Sequence, residues 1–135
     1  MNFIAPPFGT DAPDCSLEVI DNDLYSIKFH SSTRAAADAF IANLDWVYAR
    51  SVEAAVPFNL LIEALQATVS ITYLMRRVRA VVAKYPVRPS NKIAIVMDRS
   101  FVVLVEYFLK LLPSPNPVRF FSNREDALEW LRFKL

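Results

Sequence analysis

The sequence predicts an α/β fold: a single domain with a mixed, mostly parallel sheet of about five strands and four helices, in the order β-β-α-β-α-β-α-β-α. Three observations carry this expectation. The chain has 135 residues, 54% of them hydrophobic and 21% charged, which suits one apolar core and leaves little room for a second domain. Short apolar runs alternate with longer segments whose apolar residues recur at three and four. Strands that alternate with helices imply right-handed crossovers into a parallel sheet, while a polar turn between the first two strands makes that pair a hairpin.

Residues 1–14 read as an extended N-terminal arm, because Pro6, Pro7, Gly9 and Pro13 oppose helix. The α/β domain then runs over 15–135. Cys15 to Ile20 and Leu24 to His30 are strand-like, joined by Asp21-Asn22-Asp23, residues that close a turn without glycine. In the second strand Tyr25, Ile27 and Phe29 alternate with Ser26, Lys28 and His30, the pattern of one buried face. Ser32 or Thr33 can cap a helix to about Arg50, with Ala37, Phe40, Ile41, Leu44, Val47 and Tyr48 inward. Phe58 to Leu65 reads as a strand covered on both faces, with Glu63 its one charged interruption.

A second helix is expected from Ser70 to Lys84, with Leu74, Val78, Val81 and Val82 inward and Arg76, Arg77 and Arg79 mostly outward. Tyr85-Pro86 ends it, since the residue before proline is driven from helical geometry. Lys92 to Met97 is another buried strand, and Ser100 can cap a helix over Phe101 to Leu112. Pro113, Pro115 and Pro117 force a loop before the short strand Val118 to Phe121. Ser122 followed by Glu125 forms a capping box that opens the last helix, Asn123 to Phe133.

Composition excludes several classes of function. Fifteen Lys and Arg against fourteen Asp and Glu give a net charge of +1, so no global field draws in nucleic acid. One Cys and one His cannot build a zinc site of the Cys/His kind or an internal disulfide framework, so neither metal nor other cofactor is expected. The single glycine, Gly9, excludes a P-loop or dinucleotide fingerprint, whose backbones need it. The apolar run Phe101 to Leu112 would reach roughly 18 Å as a helix, against a hydrocarbon layer of roughly 30 Å. With no transmembrane segment and no leader pattern, the protein is expected in the cytoplasm.

The residues offer few chemical sites. Cys15 and His30 lie on paired strands and could approach each other, but nothing supplies an orienting group or an oxyanion hole, and a buried thiol with a rim imidazole explains both. Asp98, Arg99 and Ser100 follow a strand at its carboxyl end, where ligands of open α/β sheets collect, and Tyr73 and Arg76 complete a set of ligand candidates. Capping the helix at 101–112, or pairing with Arg99, is the simpler account of Asp98. The helix at 101–112 is apolar nearly all round, so Val102, Val103, Glu106, Tyr107 and Lys110 are the candidates for an interface with a second copy or another protein.

The element order, the strand Lys92-Ile93-Ala94-Ile95-Val96-Met97-Asp98 and the closing segment Val118 to Leu131 together resemble the STAS domain of anti-sigma-factor antagonists. In that family a serine in an Asp-Ser-Ser-Gly-like turn is phosphorylated by a partner kinase. The matching stretch here, Gln66-Ala67-Thr68-Val69-Ser70, has neither the Asp-Ser pair nor the glycine, so only Thr68 and Ser70 remain as phosphoswitch candidates, and a helix cap explains both. The resemblance implies a non-enzymatic regulatory module that acts through protein contacts, and the apolar helix at 101–112 adds the expectation of homodimerisation. The alternative is a small-ligand or lipid-binding domain with an apolar pocket at the strand ends, bordered by Tyr73, Phe101, Tyr107 and Phe120.

Overall fold

The computed structural model describes residues 5–21, 23–64, 71–86, 92–99, 102–103, 105–106, 110 and 117–133. Strands β1 (Cys15–Asp21) and β2 (Leu24–Phe29) form the hairpin, followed by α1 (Arg34–Ala54), β3 (Asn59–Glu63), α2 (Ile71–Ala83), β4 (Lys92–Val96), β5 (Val118–Phe121) and α3 (Arg124–Arg132). The described residues thus hold five strands and three helices where four helices are expected from sequence. The expected helix at Phe101 to Leu112 lies largely outside them. Of that segment, Val102, Val103, Val105 and Glu106 are helical, and the Lys110 N–H donates to the Glu106 carbonyl at 3.1 Å.

The strands lie in space in chain order, β1-β2-β3-β4-β5, with β1 antiparallel to β2 and all later pairs parallel. This order has a geometric consequence. Successive right-handed crossovers that all step in one direction must place their helices on one face of the sheet. Accordingly α1, α2 and Val105 share one apolar cluster with Tyr25, Ile27, Phe29, Leu60 and Ile95. Only α3, which follows the last strand, crosses to the other face, where Ala127 and Leu131 meet Leu24, Leu61, Ala94 and Val96. The strict two-residue period of each strand supplies both sets: Leu60 and Ile62 face the first layer, Leu61 and Glu63 the second.

Helix α1 runs four residues past the expected end at Arg50. Ala55 stops it in the left-handed region at φ 54°, its N–H donating to the Ser51 and Val52 carbonyls, so alanine here does what glycine usually does at a helix end. At its start Thr33 is the cap, its Oγ1 accepting from the Ala36 N–H at 3.1 Å. The capping box of the last helix shifts by one residue from expectation. Asn123, not Ser122, takes the extended cap conformation and accepts from the Asp126 N–H at 2.8 Å, while its Nδ2 donates to the Asp126 carboxylate at 3.0 Å. Asn and Ser cap about equally well, so β5 ending at Phe121, and not cap preference, decides the register.

The arm is tied down by one buried amide. Asn43, fully buried in α1, accepts from the Phe8 N–H at 3.1 Å and donates to the Phe8 carbonyl at 3.0 Å, and the same carbonyl takes the Leu17 N–H of β1 at 2.9 Å. An asparagine in the middle of an apolar stripe is thereby satisfied on both sides.

Candidate functional site

The chemistry of this domain gathers along the seam between α1 and α2. Asp38 and Asp45 stand seven residues apart on α1, and Arg77 and Lys84 stand seven apart along α2 and its end. Seven residues are close to two helical turns, so each pair shares a face. The helices run parallel, as same-sense crossovers require, and the pairs therefore meet in register: Arg77 Nη1 to Asp38 Oδ1 at 3.2 Å, Lys84 Nζ to Asp45 Oδ2 at 2.5 Å.

Around Asp38 the hydroxyl of Tyr73 donates to the carboxylate and accepts from Arg77 at 2.8 Å. The Tyr73 ring is flanked by two guanidinium groups, Arg34 at 4.6 Å and Arg77 at 5.7 Å from its centroid. Arg77 alone of the two is bonded to the Asp38 carboxylate, while Arg34 rests on the ring. Around Asp45, burial opposes ionisation, but hydrogen bonds from Lys84 and Tyr85 outweigh it and hold the carboxyl below its ordinary value of 3.8. Burial first, and then the bond to Asp45, pushes the Tyr85 phenol up to about 12.

A second polar cluster lies under α3. Glu63, only 7% exposed, accepts from Arg124 Nη1 at 2.7 Å and from Ser26 Oγ at 3.3 Å. The charged interruption of β3 is thus the anchor of the C-terminal helix. Lys92, on the same face, donates to the Trp130 and Phe133 carbonyls at 3.1 and 2.7 Å, which satisfies the end of α3. Toward the hairpin this face is open, and Ser16, Glu18, Lys28 and His30 line it.

The Cys15–His30 pairing does not form. Register places Cys15 opposite Phe29, on the buried face, while Ser16 turns outward and its Oγ lies 2.7 Å from His30 Nε2. Desolvation, then the charge of Asp14, raises the Cys15 thiol to about 12, so it carries no thiolate near neutral pH. Sequence reasoning passed over Ser16, although strict alternation along β1 would have put it, and not Cys15, on the face of His30.

The remaining candidates scatter. Tyr73 is engaged in the α1–α2 seam, whereas Arg76 points to solvent from the same helix, and Asp98 and Arg99 are exposed at the carboxyl end of β4. Strand order does not reverse among the described strands, so they form none of the crevices in which ligands of open α/β sheets settle. Val102 packs toward the core, Val103 is 77% exposed, and Glu106 and Lys110 are exposed. Thr68, Ser70, Ser100, Phe101 and Tyr107 lie outside the described residues. An open groove of about 510 Å³ occurs at the opposite, amino end of the parallel strands, lined by Val19, Asp21, Asp23, Leu24, Asn59 and Leu131 among others. Among the described residues no group of three or more His, Cys, Asp or Glu could hold a metal ion, and no helix is long and apolar enough to cross a membrane.

A five-stranded mixed sheet in chain order, with helices on one face and a closing helix on the other, defines a small α/β domain in which the ion pairs of Asp38, Asp45 and Glu63 tie helices to one another and to the sheet. Its family follows from comparison with known proteins. The SpoIIAA-like family model matches residues 27–132, nearly the whole domain, and the chain belongs to that family. That membership bears out the STAS-like, anti-sigma-antagonist-like resemblance and accords with a non-enzymatic regulatory module. No curated protein and no solved structure matches the chain.

Proposed function

We propose that the protein is a non-enzymatic regulatory module that works through protein–protein contacts, and that it forms a homodimer through the segment carrying Val102 to Lys110. The observation that carries this reading is Val103, 77% exposed although its neighbours Val102 and Val105 pack toward the core. A helix that turns apolar side chains both inward and outward has a second surface to bury, and Glu106 and Lys110 rim it at the favourable i, i+4 spacing. The absence of a thiolate at Cys15 and the engagement of Glu63 in an ion pair agree with a role in binding, not turnover. The test is molar mass by sedimentation over a concentration series. Wild type should pass from monomer to dimer, and Val103→Glu should remain monomeric with an unchanged far-UV spectrum. A wild-type chain that stays monomeric at millimolar concentration overturns the homodimer.

A further inference from the structure

Helix α2, ITYLMRRVRAVVA, carries three arginines and no acidic residue. The partners of its cations divide them sharply. Arg77 and, just beyond the helix, Lys84 face α1 and are neutralised by Asp38 and Asp45. Arg76 and Arg79 face away, are exposed, and make no ion pair among the described residues, which include all fourteen acidic side chains of the chain. Arg34 extends the same surface from the start of α1. Its guanidinium lies on the Tyr73 ring, and the one nearby carboxylate, Asp38, is already bonded to Arg77 and Tyr73.

We infer that the outward face of α2, with Arg34 at its edge, is the docking surface for an acidic segment of a partner protein. The inference rests on the regulatory-module reading and supplies its partner chemistry. Charge complementarity carries it. In a chain of net charge +1, three guanidinium groups without a carboxylate of their own are gathered on one helical surface, while the acids that balance them lie elsewhere. Guanidinium favours bidentate carboxylate recognition, and stacking on Tyr73 holds Arg34 in place so that less side-chain freedom is lost on binding. The face is helical, and successive arginines at i and i+3 match carboxylates repeated along an extended or helical segment.

The test uses a fluorescein-labelled peptide of alternating glutamate and leucine, with its lysine counterpart as control, and reads anisotropy together with molar mass on the same full-length samples. Wild type should bind the acidic peptide and not the basic one, and binding should weaken as salt rises. The Arg76→Glu/Arg79→Glu variant should bind at least about tenfold more weakly, whereas Arg119→Glu, a reversal at an exposed arginine of β5, should bind as wild type does. No binding by wild type, an equal loss in Arg119→Glu, or tighter association with phosphatidylserine vesicles than with the peptide each overturns the acidic-protein docking face. Peptide binding by a chain that never dimerises would instead overturn the homodimer and leave this face standing.

Discussion

On one face of the sheet α1 and α2 bury Phe40, Val47, Tyr48, Val78 and Val82 against β1 to β4; on the other, α3 is the one helix among the described residues, covering β3 to β5 and leaving Ser16, Glu18 and Lys28 of the hairpin toward water. The first face is held by apolar area, and its ion pairs sit on the exposed seam. The second has a small apolar cluster and relies on a buried ion pair, Glu63 to Arg124, and on Lys92 at the helix end. The difference follows from topology. A sheet whose strands run in chain order sends every crossover helix to one side, so the other side must be closed by whatever chain remains. Here that is a nine-residue helix.

Substitutions on both faces and on the seam test this contrast, and the largest effect belongs to the first face. Phe58, 2% exposed and in edge contact with Tyr25 and Tyr48, should cost about 3–5 kcal/mol as Phe58→Ala in urea denaturation. Leu131→Ala, at a comparably buried position of α3 itself, should cost about 2–3 kcal/mol, because a short terminal helix can settle into the space. Equal costs would mean that the two faces are equally well packed.

The middle effect lies at the ion pair. Arg124→Ala leaves Glu63 buried with Ser26 as its remaining side-chain partner among the described residues, and about 2–3 kcal/mol should be lost, below the usual range of about 3–5 kcal/mol because Arg124 is 35% exposed. Adding Glu63→Leu should restore most of that loss, since an apolar residue there extends the Leu61 and Val96 cluster. If the double variant is no more stable than the single one, the charge of Glu63 was not the source of the penalty.

The smallest effect is on the seam. Asp45 has a folded pKa below its unfolded one, so its contribution is full above the ordinary carboxylate pKa and fades as pH falls through the lowered folded value. Asp45→Asn should therefore lower stability near pH 7 by less than about 1 kcal/mol, and by progressively less as pH falls below the ordinary carboxylate value. Tyr85 has the opposite sign. Its raised pKa makes its contribution complete below the ordinary tyrosine value of 10 and lost as pH climbs toward about 12, a dependence Tyr85→Phe should abolish. A seam insensitive to both changes would place all of the α1–α2 stability in the apolar cluster.

Much of this molecule was legible in the residues. Alternation in β2, the three-and-four spacing in α1 and α2, and the proline before β5 define the elements to within a few positions, because these signals are local and their periods match the backbone geometry. The site was less legible. Asp38 with Asp45, and Arg77 with Lys84, are spaced alike, yet that spacing has meaning only once α1 and α2 are known to be parallel neighbours. The cap at Asn123 turned on one residue of register between two residue types that cap about equally well, whereas the partner of His30 was within reach of alternation along β1, which puts Ser16 and not Cys15 on its face.

By itself the sequence determined the α/β class, the order of elements, the lack of phosphate-cradling glycines and the STAS-like kinship, all properties of local pattern and composition. Only the tertiary structure decided that the strands lie in chain order, that Glu63 anchors α3 and that Arg77, alone of the three α2 arginines, is paired with Asp38 among the described residues. These depend on which distant segments become neighbours, and pairing across tens of residues is set by packing of the whole core, not by any one segment of it.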